Sequence, residues 1–187
     1  MDSQPIIEYS RKIRLRCLKQ PAQWLISQGI TATYLTFLSL ILGIMGVIYL
    51  FENQVLFILF MLLHLLADSL DGVVAKLTRP LKSGAYFDYF TDYLIAVLLL
   101  VQIYSYLQDN YVLIVLGLSV FSQALYLWSK QKSPLIIFRT GLALSLMFYP
   151  LFPVKGFLTL AYLVIGVFVV YGLLLQLNYF IRLRWSS

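Results

Sequence analysis

The chain has 187 residues, 61% of them hydrophobic and 12% charged, with a mean hydropathy of +0.85. That apolar share lies far above a soluble domain's and the charged share far below it, so a water-soluble globule is excluded and the bilayer is the expected solvent. The formal charge is +6, from 14 Lys and Arg against 8 Asp and Glu, but the positives flank hydrophobic runs instead of covering one polar domain, so they read as topology signals and no nucleic-acid partner is expected.

Residues 1–30 form a basic segment in which Arg11, Lys12, Arg14, Arg16 and Lys19 are interleaved with Ile13, Leu15, Leu18, Trp24 and Leu25. The mixture predicts an amphipathic helix in the headgroup region, apolar side down, with the tryptophan at the interface. Cys17 is the only cysteine, which excludes an intrachain disulfide and a thiolate zinc site; it is expected as a small apolar filler.

Residues 31–187 are expected to form the membrane domain. Apolar segments run over about 31–51, 54–75, 84–107, 111–128, 134–151 and 156–180. Roughly 20 helical residues span the hydrocarbon core, and the absence of period-two alternation argues against barrel strands. The predicted fold is an all-α integral membrane protein, a bundle of six transmembrane helices preceded by an interfacial amphipathic N-terminal helix. Pro80, Pro134, Pro150 and Pro153 fall in the boundaries, where a missing N–H costs little.

Counting Lys and Arg on alternate sides fixes the expected orientation. The basic N-terminal segment, Lys76, Arg79, Lys82, Lys130, Lys132, Arg182 and Arg184 share one side, and only Lys155 falls on the other. Both termini are therefore expected in the cytoplasm, in a multi-pass protein of a prokaryotic inner membrane.

Four of the eight acidic residues, Asp68, Asp71, Asp88 and Asp92, fall where the second apolar segment ends and the third begins. Each would cost ~2.5–3.5 kcal/mol at the centre of a lipid-facing helix, so together they must face a polar site. Asp68 and Asp71 are spaced i, i+3 and Asp88 and Asp92 i, i+4, so each pair shares a helical face. A short connection makes the two helices antiparallel neighbours, and the pairs can converge. Clustered carboxylates call for hard divalent cations, and with no second His or Cys in reach Mg2+ or Mn2+ is implied. Gly72, Ala75 and Gly84 keep one wall free of bulk, which leaves room for a polar ligand. An ion-pair network with Lys76, Arg79 and Lys82, a small cation transporter and a non-catalytic scaffold are the other readings of these residues.

The run Asp68-x2-Asp71-Gly72-x2-Ala75-Lys76-x7-Gly84-x3-Asp88-x3-Asp92 resembles the signature of the CDP-alcohol phosphotransferase family, Asp-x2-Asp-Gly-x2-Ala-Arg-x(7 or 8)-Gly-x3-Asp-x3-Asp, with seven of its eight fixed positions matched. The segment Gly29 to Thr36 is similar to the stretch that precedes the family's first span, with Ala32-Thr33 where Pro-Asn is common; Lys76 stands in place of the family arginine. The resemblance implies a phospholipid-synthesising transferase that moves a substituted phosphate from a CDP-linked donor, such as CDP-diacylglycerol, to a small alcohol and releases CMP. In it Asp68, Asp71, Asp88 and Asp92 would hold Mg2+ or Mn2+, and Asp92 would also take the acceptor's proton. Gly72, Ala75, Lys76, Gly84, Asp68 and Thr31 would contact the donor, and a homodimer is implied. The absence of a basic residue after Asp92 disfavours glycerol 3-phosphate as acceptor. An inactive relative is the alternative that the Lys76 and Ala32-Thr33 departures leave open.

Of the remaining residues, Arg139 is the basic residue inside a later span and a candidate to hold an anionic acceptor; its plainer reading is a headgroup anchor. His64, one turn before Asp68, is expected as a packed or water-bonded histidine, with orientation of Asp68 across one turn as the sharper reading, and Gly141 with Ser145 as a weak helix contact.

Overall fold

The structure is a computed structural model that describes residues 4–78, 82–129, 132–134 and 138–185. Among these residues it is all-α, with no strand: α1 (Gln4–Ser27), α2 (Ala32–Tyr49), α3 (Gln54–Thr78), α4 (Lys82–Leu107), α5 (Asn110–Trp128), α6 (Arg139–Met147), a 3-10 turn (Tyr149–Leu151) and α7 (Lys155–Trp185). Local chemistry sets the ends. Gly29 takes a positive φ of 77° in the turn after α1, and the Thr31 hydroxyl caps α2 by accepting from the Tyr34 amide. Asn53 accepts from Leu56 N at the start of α3. Asp109 caps α5, accepting from Tyr111 N at 3.0 Å, and its other oxygen takes the Tyr162 hydroxyl of α7.

The chain divides into two compact units, one up to Ile95 and one from Ala96, with the boundary inside α4. In the first, α2 packs along α3 through a face of small residues. Ser39, Gly43 and Gly46 lie on it, and a Cβ added at Gly43 would come within 2.7 Å of Ile95 and 3.1 Å of His64 Nδ1. His64 is fully buried, with Nδ1 2.8 Å from the Ser39 carbonyl. A carbonyl can only accept, so the ring proton is assigned to Nδ1, and the Ser39 hydroxyl returns a bond to the His64 carbonyl at 3.2 Å. This is the packed histidine expected from the sequence. Gly43→Val is expected to cost about 1–3 kcal/mol through overpacking of this contact. The thermal midpoint in detergent should fall, and an unchanged midpoint would contradict the close approach.

α1 uses its apolar side differently from the expectation. Leu15, Leu18, Leu25 and Ile26 pack with buried Ala22 against Leu35 of α2 and Leu70, Val73 and Val74 of α3, so that side faces protein and not lipid. The opposite side, with Arg16, Lys19 and Trp24, is exposed. Cys17 is exposed there as well, which overturns its expected role as a buried filler. Its neighbours in the heptad already fill the contact: Leu18 and Ala22 point inward, and Cys17 falls off that stripe.

In the second unit α5 packs on α7, where a Cβ at Gly166 would meet Val115 at 3.0 Å. Ser122 and Gln176 join the two helices by a pair of 3.1 Å hydrogen bonds, satisfying amide and hydroxyl groups in a buried setting. Among the described residues a Cβ at Gly141 would meet nothing within 4 Å, and the Ser145 hydroxyl bonds back to the Gly141 carbonyl of its own helix, so the pair makes no contact with another described helix.

Among the described residues five helices, α2, α3, α4, α5 and α7, are long and apolar enough to cross a membrane. Only 33–44% of each span is buried within the protein, and large side chains such as Val55, Leu59, Val167 and Leu174 stand outward. So much outward apolar surface suits lipid, not water. The segment expected as the fifth of six spans, 134–151, is not one long helix: α6 has nine residues and a 3-10 turn at Tyr149–Leu151 follows. Pro150 sits in the 3-10 turn that follows α6, where its missing N–H ends the run of α-helix.

Candidate functional site

The site lies in the first unit, where α3 and α4 carry their aspartates towards each other. One carboxylate oxygen from each of Asp68, Asp88 and Asp92 falls within 4.8 Å of the others. All three side chains are partly buried. Two ionised carboxylates at that spacing repel by roughly 3 kcal/mol at an effective dielectric of about 20, so a cation placed among them would be attracted. Two oxygens on opposite sides of an octahedral Mg2+ are about 4.2 Å apart, given bonds of ~2.1 Å, and the larger Ca2+ reaches further. Adjacent octahedral positions are nearer, about 3.0 Å at the same bond length, and three ligands allow one opposite pair at most, so an all-oxygen set within 4.8 Å could hold a hard divalent cation by drawing together.

Asp71 stands apart from these three. It is buried, and its Oδ2 accepts the Thr36 hydroxyl of α2 at 2.9 Å. On α4, the Thr91 hydroxyl donates to the Asp88 carbonyl at 2.7 Å and pins that turn.

Beside the carboxylates is an open pocket with a cavity volume of about 100 Å³. Asp71, Gly72 and Ala75 of α3 form one wall, Gly84 and Asp88 of α4 another, and Ala32, Thr33 and Thr36 of α2 the third. Later positions of α3 thus meet earlier positions of α4, Ala75 with Gly84 and Asp68 with Asp92, as in antiparallel neighbours. Among the described residues a Cβ added to Gly72 would meet no atom within 4 Å, and one at Gly84 would meet Thr33 Oγ1 at 3.8 Å. The missing side chains leave space instead of permitting tight packing. Asp88 belongs to both the carboxylate trio and the pocket wall.

The structure brings together Asp68, Asp88 and Asp92, and around the pocket Asp71, Gly72, Ala75, Gly84 and Asp88. Lys76 is exposed in the last turn of α3 and does not line the pocket. Thr31 is likewise exposed and serves as the α2 cap. Arg139 opens α6 in the second unit and is buried, 3% exposed, which differs from a side chain snorkelling to headgroups. Arg79 and Lys130 lie outside the described residues. Ala32, Thr33 and Thr36 were missed as wall residues, although their i, i+1 and i+4 spacing at the start of α2 puts them on one face.

Fold and site together define an all-α protein of multi-pass membrane character with a carboxylate group beside a small-residue pocket. Comparison with family models, with curated proteins and with solved structures finds no match to the chain.

Proposed function

We propose that the protein is a CDP-alcohol phosphotransferase, carrying a substituted phosphate from a CDP-linked lipid, CDP-diacylglycerol first, to the hydroxyl of a small polar alcohol with release of CMP. The observation that carries this reading is that Asp88 is common to a trio of carboxylates and to a pocket whose wall glycines leave open space. A structural ion-pair network has no use for such a space; a nucleotide diphosphate does.

In this reading Asp68, Asp88 and Asp92 hold Mg2+ or Mn2+, and Asp71 contributes from the pocket side. A bound divalent cation supplies charge neutralisation at the diphosphate and at the departing CMP. The acceptor oxygen attacks the phosphorus that bears the lipid alcohol, the bond from that phosphorus to the CMP oxygen breaks, and the acceptor's proton passes to a carboxylate oxygen of Asp92. Gly72, Ala75 and Gly84 admit the cytidine diphosphate. Lys76, exposed next to the wall residue Ala75, offers positive charge to a phosphate outside the pocket.

The chain crosses the membrane six times in this reading. Lys132 follows α5 and Lys155 opens α7, with Arg182 towards its far end, and reading 134–151 as a span puts Lys132 and Arg182 on one side and Lys155 on the other. Both termini and the carboxylates then lie in the cytoplasm.

The test is CMP release from CDP-diacylglycerol by the purified protein, with Mg2+ or Mn2+ and a panel of alcohol acceptors. Acceptor-dependent release is expected and should vanish with chelator. Metal binding without CMP release from any CDP-alcohol would favour a cation-transport role.

A further inference from the structure

Thr36 lies on α2, 35 residues from Asp71, and both side chains are 3% exposed. Its hydroxyl has one proton and two acceptors in reach, Asp71 Oδ2 at 2.9 Å and the Ala32 carbonyl of its own helix at 3.0 Å. The carboxylate is the stronger acceptor, while the carbonyl belongs to the backbone hydrogen-bond ladder of α2. Thr36 and Asp71 also line the same pocket, next to Asp88. A buried aspartate in a membrane helix has several rotamers and few partners, so the group that ties down one oxygen decides where the other is presented.

We propose that Thr36 is a positioning residue for the carboxylate site: by holding Asp71 Oδ2 against α2 it fixes the remainder of that carboxylate on the pocket side of the Asp68, Asp88 and Asp92 trio, as a further oxygen donor to a divalent cation. This deepens the proposed function, since it rests on the same carboxylates binding a metal. It also gives α2 a part in the site that neither aspartate helix supplies.

The experiment titrates Mn2+ alone into detergent-solubilised full-length protein, reading the free-ion EPR signal, for wild type, Thr36→Val and Thr36→Ser, each also in an Asp71→Asn background. Outer groups that orient metal ligands typically contribute 10- to 100-fold in affinity. Thr36→Val is expected to weaken Mn2+ binding by about 10-fold or more, while Thr36→Ser stays within about threefold of wild type. In the Asp71→Asn background the Val substitution should have no further effect, because the group it acts through is gone. If Thr36→Val does not fold, Thr36→Ala, which only deletes atoms, carries the same comparison. Wild-type affinity in Thr36→Val, equal loss in both backgrounds, or no Mn2+ binding by wild type would each overturn the proposal. Mn2+ binding that follows this pattern, in a protein that releases no CMP, supports the positioning role and sinks the transferase reading.

Discussion

Asp88→Asn is expected to reduce CMP release by at least ~100-fold, the largest loss of any single carboxylate substitution, because it removes a charged oxygen from a metal-assisted site. Asp88 is the residue shared by the trio and the pocket wall, so its loss reaches both the cation and the donor. Asp68→Asn should weaken Mn2+ binding in the same way. Asp92→Asn should lower the rate by ~100- to 10,000-fold, the range of a general base, while leaving donor affinity the least changed. Asparagine preserves volume, so each substitution should leave the packing around the site in place. Thermal midpoints without metal should therefore stay near the wild-type value, which separates a chemical loss from misfolding. Retained CMP release in all three variants would remove the carboxylates from the chemistry.

Much of this architecture is legible in the sequence because a bilayer imposes a simple rule. Apolar runs of spanning length must be helices, and the boundaries read from Glu52-Asn53 and Gln108-Asp109-Asn110 coincide with the breaks after α2 and after α4. The trio is legible for a related reason: carboxylates at i, i+3 and i, i+4 on adjacent helices are too costly in lipid to point apart. Glycines at 72 and 84 read as open space, and their surroundings agree.

What stayed hidden depends on contacts between distant segments. Nothing local marks Thr36 as the partner of Asp71, since a threonine at the start of an apolar helix reads equally well as a back-bonded hydroxyl, and its bond to Ala32 O is of that kind. Arg139 has the same difficulty in reverse: a lone arginine near a span end suggests a headgroup anchor, whereas burial at the head of α6 is decided by tertiary packing. The segment 134–151 looked like a span because hydropathy averages over its prolines, while the backbone responds to each one. Asp71 shows a limit of spacing arguments, for i, i+3 puts it on the face of Asp68, yet its Oδ2 is bonded to α2 and it is not one of the three carboxylates that fall within 4.8 Å of one another.

Gly72→Leu provides the sharpest division between fold and function. At most glycines in helix contacts a larger residue collides with its neighbour, as at Gly43 against Ile95 or Gly46 against Met61, and stability falls first. Gly72 is the opposite case. It sits in the wall of the pocket with no atom within 4 Å of an added Cβ, and replacing a helical glycine removes a backbone-entropy penalty of roughly 0.5–1 kcal/mol. The leucine variant is therefore expected to melt at or slightly above the wild-type temperature. Its side chain would at the same time occupy the space between Asp71 and Asp88, where the proposed donor's diphosphate must lie. CDP-diacylglycerol turnover should fall by ~100-fold or more, the scale seen when a reacting group is displaced by about an ångström, while Mn2+ binding at Asp68, Asp88 and Asp92 persists. Gly84→Leu, where Thr33 Oγ1 at 3.8 Å is the nearest contact, should behave alike with a smaller gain in stability. Wild-type turnover in both variants would mean that the pocket is not where the nucleotide binds, whereas loss of turnover with loss of the folded state would mean that these glycines serve packing after all.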